Sequence, residues 1–264
     1  MTALRPAAVA GTFYPSDPEE LARTIDMLLA AAAVTPAAAA PTALIVPHAG
    51  YVYSGPVAAT AYAGLSAWRD LITRVVVIGP AHRVPVSGLA LSSADGFVTP
   101  LGVVAIDTVA NRLLATCNGA YIDDRAHALE HSVEVHLPFL QRTLGTAWSL
   151  VPIVAGDAPA SIVADALEAL WAEPGTLIVV STDLSHYHDA RTAHRLDAAT
   201  AAAIVAGNWE QLDGSRACGV VPVCGALELA RRHGGHIDLL DLRNSGDTAG
   251  PADRVVGYGS FAVR

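Results

Sequence analysis

The side chains of this sequence whose placement carries chemical information are its imidazoles and thiols. Ten His are present, and three follow short apolar runs: His48 in PHAGYVYSG, His82 in GPAH and His186 in STDLSHYH. His48 and His82 stand beside Gly or Pro, the residues of tight turns. Neutral imidazole is the commonest metal ligand near neutral pH, and its other ring nitrogen is usually oriented by a neighbouring acceptor. Three separate stretches that bring imidazole to similar positions therefore predict a metal centre.

Other polar groups cluster with them. In ALEHSVEVHLPFLQ, His131 and Glu134 are three apart, as on one face of a helix, where they support a ligand, face a substrate or form a solvated charged surface. His136 is five residues from His131, so an HExxH zinc-protease reading fails on spacing. Asp183 precedes His186 by three residues and either caps the following turn, orients an imidazole or ligates a cation. Cys117, Cys218 and Cys224 are the three thiols. Cys218 precedes an apolar helical run in ACGVVPVCG, and a helix N-terminus favours thiolate. Cys224 falls inside that run as a core residue, and Cys117 reads as a small buried side chain. Spacing alone does not choose among the three.

The elements that must position these groups are legible as alternating patterns. Short apolar runs at 42–46, 74–79, 148–154 and 176–181 read as strands covered on both faces. Amphipathic stretches at 18–30, 56–67, 107–116, 130–144, 159–172, 190–206 and 222–233 read as helices. Pro56 fits a first helical turn, and Asp107 and either Asp157 or Ser161 are candidate caps. The segment 84–106 reads as short strands and 254–263 as an antiparallel strand. The alternation predicts an α/β fold with a mainly parallel or mixed central sheet flanked by helices. In such sheets ligands bind at the C-terminal strand ends, where His48, His82 and His186 fall.

Composition narrows the chemistry. The 264 residues are 52% hydrophobic and 16% charged, enough apolar material for a large core and too much for a disordered or fibrous chain. A single domain over 1–264 is expected, with an Ala/Pro linker at 30–41 inside it. All 16 basic side chains are Arg. Without Lys there is no Schiff-base lysine, no pyridoxal-phosphate anchor and no P-loop. A net charge of -9 without a basic stripe argues against nucleic acid. The apolar stretch between Met27 and Pro47 is interrupted by Pro36 and Pro41 and is rich in weakly apolar Ala, so no membrane span is expected. The opening residues lack a continuous apolar signal region and the Cys count is odd, which predicts a reducing cytoplasm.

The sequence resembles the Memo family, whose prokaryotic members are called AmmeMemoRadiSam system protein B. The matching segments are AGTFYP at 10–15, PHAGYVYSG at 47–55, GPAH at 79–82, EHSVEVHLPFLQ at 130–141, STDLSHY at 181–187 and CGVVP at 218–222. The resemblance implies a fold similar to class III extradiol dioxygenases. It also implies a metal held by His48, His82 and Cys218, with Asp183, His186 and His131 lining the same pocket. Those dioxygenases use a carboxylate where this family has a thiolate, so ring cleavage is not inherited with the fold. A thiolate suits softer ions. The resemblance therefore implies an iron- or copper-dependent redox enzyme, with His186 as acid or base and Asp183 orienting an imidazole. Two other readings use the same residues: a non-catalytic module that binds a peptide or protein in that pocket, and a zinc hydrolase. The family name implies partnership with a radical-SAM enzyme and an AMMECR-like protein.

Overall fold

A computed structural model describes residues 3–34 and 39–264. Strand β1 (Leu4–Arg5) and helix α1 (Pro18–Ala31) precede the first core strand, β2 (Ala43–Val46), and helix α2 (Tyr51–Ala63). Strand β3 (Arg74–Pro80) leads into β4 (Leu89–Leu91), β5 (Gly96–Thr99), β6 (Gly102–Ala105), α3 (Thr108–Leu114), β7 (Ala120–Ile122), α4 (Asp124–Ala128) and α5 (Leu137–Leu144). The second half runs β8 (Ser149–Ala155), α6 (Ala160–Trp171), β9 (Thr176–Ser181), β10 (His186–His188), α7 (Ala190–Val205), α8 (Val220–Arg232), β11 (Ile237–Asn244), α9 (Ser245–Thr248) and β12 (Val255–Val263).

The main sheet is mixed, in the order β10-β12-β2-β9-β3-β8-β4-β7, with β11 also paired to β12. Its centre, β2, β9, β3 and β8, is parallel. The flanking β12 and β4 run antiparallel to β2 and β8. A small second sheet joins β1, β5 and β6.

The central strands are apolar at every interior position because both faces are covered. Leu44, Val46, Val75, Val77, Leu177 and Val179 point to one core with Leu21 and Ile25 of α1, Tyr62 of α2 and Leu140 of α5. Ile45, Val76, Ile78, Ile178 and Val180 point to the other with Leu167 of α6, Ile204 of α7 and Leu227 of α8. Each such side chain withdraws from water at a gain of about 1.5–3 kcal/mol. Among the described residues, no helix is long and apolar enough to cross a membrane.

Several sequence expectations are corrected locally. The stretch 130–144 is not one helix: a turn precedes a 3-10 segment at Glu134–His136, and α5 begins at Leu137 with Pro138 in its first turn. Helix α2 starts at Tyr51, so Pro56 lies inside it, one turn later than expected. Helix α6 has Pro159 at its N-cap and no side-chain cap, so neither Asp157 nor Ser161 fills that role. Asp107 does cap α3, accepting from the amides of Val109 and Ala110. The expected linker at 30–41 begins within α1, and its residues 35–38 lie outside the described residues. Cys117 and Cys224 are only partly buried.

Candidate metal centre

Strand order builds the site. Strands β2, β9 and β3 lie side by side and parallel, so their C-terminal ends open at one edge. His48 follows β2 by two residues, Asp183 follows β9 by two and His82 follows β3 by two. Cys218 arrives from the opposite direction, just before α8, whose N-cap is Gly219.

The thiol is stitched to the β9 end by backbone bonds. The Cys218 amide donates to the Asp183 carbonyl at 3.2 Å, and the Gly219 amide donates to Thr182 Oγ1 at 2.9 Å. The Asp183 amide in turn donates to Cys218 Sγ at 3.2 Å. Glycine is required at 219, because a Cβ there would lie 2.3 Å from the Ser181 carbonyl oxygen. His48, His82 and Cys218 thus present three ligand atoms within 4.8 Å of one another.

The neighbours of the imidazoles fix their protonation. Ser181 Oγ donates to the Ser132 carbonyl at 2.7 Å, so it accepts from His48 Nδ1 at 2.6 Å. Glu130 Oε1 accepts from His82 Nδ1 at 2.9 Å. The Leu184 carbonyl accepts from His186 Nδ1 at 2.8 Å. In its neutral form each ring therefore carries its proton on Nδ1 and has Nε2 free, the tautomer that coordinates through Nε2.

Distances agree with a shared ion. His48 Nε2 and Cys218 Sγ are 3.4 Å apart. Bonds of about 2.3 Å to sulfur and 2.0 Å to nitrogen, at a tetrahedral angle, put those atoms roughly 3.5 Å apart. His82, Glu130 and His131 form a second group with metal-ligand spacing. Its carboxylate is already committed, because Glu130 accepts from the amides of His82, His131 and Ser132 as well as from the His82 ring. Glu130 acts as the orienting group of His82 and leaves little lone-pair capacity for an ion.

Electrostatics keep His48 and His131 neutral. Burial, reinforced by the neighbouring His131 and His82, holds the pKa of His48 well below the usual imidazole value. Burial likewise lowers His131 to about 4. It also raises the Asp183 carboxyl to about 6, against the opposing hydrogen bond from the His48 amide. The Cys218 thiol is pushed up to about 12 by burial and by the Asp183 charge, so without a cation it stays protonated. Burial works to raise Glu130, yet the His82 and Ser132 hydrogen bonds carry it down to about 2.

Of the sequence candidates, His48, His82, Cys218 and Asp183 come together here. His131 joins them, its ring centroid 4.7 Å from that of His82 and 5.4 Å from that of His48. His186 lies at the start of β10, partly buried. Glu134 is a correction. Its buried carboxylate turns to the N-terminal segment and accepts from Arg5, from Tyr14 and from the amides of Ala8 and Val9. The helical spacing that paired it with His131 is absent, because the chain turns between them. Sequence reasoning missed Glu130, Ser181 and Ser132. Glu130 was recoverable as the acid adjoining His131; the two serines carry no signal apart from the fold.

Comparison with known proteins follows this geometry. The family described as "Memo-like protein" matches residues 5–262. A MEMO1 family protein of Aquifex aeolicus is 36% identical, covering 97% of each chain. Another, from Aeropyrum pernix, is 37% identical over 98% of this chain and 99% of its own. An uncharacterized protein from Escherichia coli K12 has a similar fold, with a TM-score of 0.52 at 15% identity, covering 83% of this chain and 99% of that one.

Proposed function

This chain belongs to the Memo family, and on that premise we propose that it is a metal-dependent redox protein holding one iron or copper ion between His48, His82 and Cys218. The observation that carries the reading is the tautomer lock. The Nδ1 protons of both histidines are spent on Ser181 and Glu130, while His48 Nε2 faces sulfur at 3.4 Å. Two imidazoles and a thiolate suit copper(I), iron or zinc better than hard cations.

When bound, the ion supplies a Lewis-acidic and redox-active centre. The residues do the rest. Cys218 loses its proton on binding, and the Asp183 amide directed at Sγ stabilises the thiolate. Asp183, with its carboxyl raised to about 6, exchanges a proton close to neutral pH. His186 offers Nε2 as acid or base, its ring oriented by the Leu184 carbonyl. His131, neutral at physiological pH, walls the pocket beside His82.

Elemental analysis of protein purified without added metal tests this. About one iron or copper per chain is expected, falling steeply in His48→Ala and Cys218→Ser with the fold intact by circular dichroism. Stoichiometric metal retained by both variants overturns the ligand set. Zinc in place of iron or copper, with hydrolysis and no redox turnover, overturns the redox assignment alone.

A further inference from the structure

Among the described residues, Tyr187 is the one residue other than glycine with a left-handed backbone, at a φ of 64°. That region crowds the Cβ of any L-residue, and for a bulky side chain it is an uncommon and costly conformation. Burial does not offset the cost, since Tyr187 is 65% exposed. Glycine would occupy the position without strain. The sequence nevertheless carries a tyrosine there, directly after His186.

The strain has a local cause. Strand β10 pairs with β12 through His186 opposite Val256 and His188 opposite Val255, so Tyr187 is an extra residue at the centre of a β-bulge. In an unbroken strand His186 and His188 would share a face. The bulge separates them, and His186 is partly buried while His188 is exposed. Both flanks are anchored: the Leu184 amide donates to the Gly257 carbonyl and the Gly257 amide to the Ser185 carbonyl, each at 2.8 Å, and the Ala190 amide donates to the Ala252 carbonyl at 2.9 Å.

The Tyr187 ring has two partners. Its centroid is 5.6 Å from that of His186 at an interplanar angle of 72°, an edge-to-face contact. The Arg254 guanidinium carbon stands 4.5 Å from the same centroid, within cation–π range. His186 in turn stands close enough to Asp183 and His48 for its charge to act on both. Its Nδ1 bond to the Leu184 carbonyl is lost if the ring turns over about Cβ–Cγ and brings Cδ2 to that oxygen. A second contact on the ring opposes that turn.

We propose that Tyr187, steadied by Arg254, is a positioning residue that holds the His186 ring in one orientation with Nε2 presented to the metal pocket. This rests on the reading of His186 as the acid or base of that pocket. Glycine at 187 would relieve the backbone and leave nothing to set against the imidazole.

The test uses full-length protein labelled at the histidine nitrogens and loaded with copper(I), which is diamagnetic. Long-range proton–nitrogen correlations report the tautomer of each ring, and His186→Gln identifies the His186 signals. About nine-tenths of His186 should carry its proton on Nδ1 in the parent protein and in Tyr187→Phe, which keeps the ring. In Tyr187→Gly that share should fall to about half or less, while the thermal midpoint stays level or rises because the strain is gone. Arg254→Gln should lower the share by a smaller amount. A parental share in Tyr187→Gly overturns the proposal, as does a fall in Tyr187→Phe equal to that in Tyr187→Gly. A share that falls only together with the thermal midpoint overturns it in favour of a packing role, and an unmoved share in Arg254→Gln overturns the part given to Arg254. Copper is measured on every sample: a parent protein that takes up none overturns the metal-centre reading instead, and the His186 share is then read in the metal-free protein.

Discussion

Ser181 Oγ accepts the Nδ1 proton of His48 at 2.6 Å while donating its own to the Ser132 carbonyl at 2.7 Å. The hydroxyl therefore has one orientation and the imidazole one tautomer. Ser181→Ala removes the acceptor without adding bulk, freeing the ring to rotate and to protonate at Nε2. Groups that orient a ligating imidazole are worth 10–100-fold in affinity. Competition with a chelator should report a loss of that size, with the thermal midpoint little changed.

Metal uptake should follow pH through the thiol. With Cys218 raised to about 12, its proton must leave whenever an ion binds, and the depressed His48 contributes no competing proton. Apparent affinity should rise about tenfold per pH unit between pH 7 and 9, and each ion bound should release one proton to buffer. Calorimetry in buffers of different ionisation enthalpy measures that number.

Glu130 links the site to acid stability. Its folded pKa of about 2 lies below the ordinary carboxylate value, so its contribution is complete above pH 4.5 and disappears as pH falls towards 2. Glu130→Gln should cost about 1–3 kcal/mol at neutral pH, since an amide serves the surrounding donors poorly. The gap between variant and parent melting temperatures should close over that acid window.

Glu134 separates architecture from chemistry. Removing its cationic partner with Arg5→Ala leaves a carboxylate buried in the protein, a change that costs about 3–5 kcal/mol. Thermal unfolding should register the loss, while metal content at 20 °C stays at the parental level. Metal content falling in step with stability would place this network within the site.

Gly219→Ala pushes a methyl carbon against the Ser181 carbonyl at a nominal 2.3 Å. Relief requires the turn bearing Cys218 to move. A destabilisation of about 1–3 kcal/mol is expected, together with weaker metal binding.

The central strands and the imidazoles of His48 and His82 were legible because each depends on local pattern, unbroken apolar runs and imidazoles next to turn formers, whereas Cys218 was singled out from the three thiols only by the family resemblance. The tail strand β12 was legible for the same reason. What escaped depends on contacts across the chain. Strand β11 is only partly buried and mixes Asp, Leu and Arg, so its pairing with β12 leaves no clean period. The turn at His131–Val133 hides in a segment whose apolar spacing resembles a helix. Its shape is set by Glu130 accepting the His131 and Ser132 amides, which no periodicity reveals.

The ligands are also separated in time. His48 and Cys218 lie 170 positions apart, and β12, which pairs with β2, is made after both. At about 5–20 residues per second, on the order of ten seconds pass between synthesis of the second imidazole and of the sulfur. Over that interval the chain lacks the sulfur of the ligand set, so two nitrogens and a sulfur meet only once Cys218 has been made and its turn has docked against the end of β9.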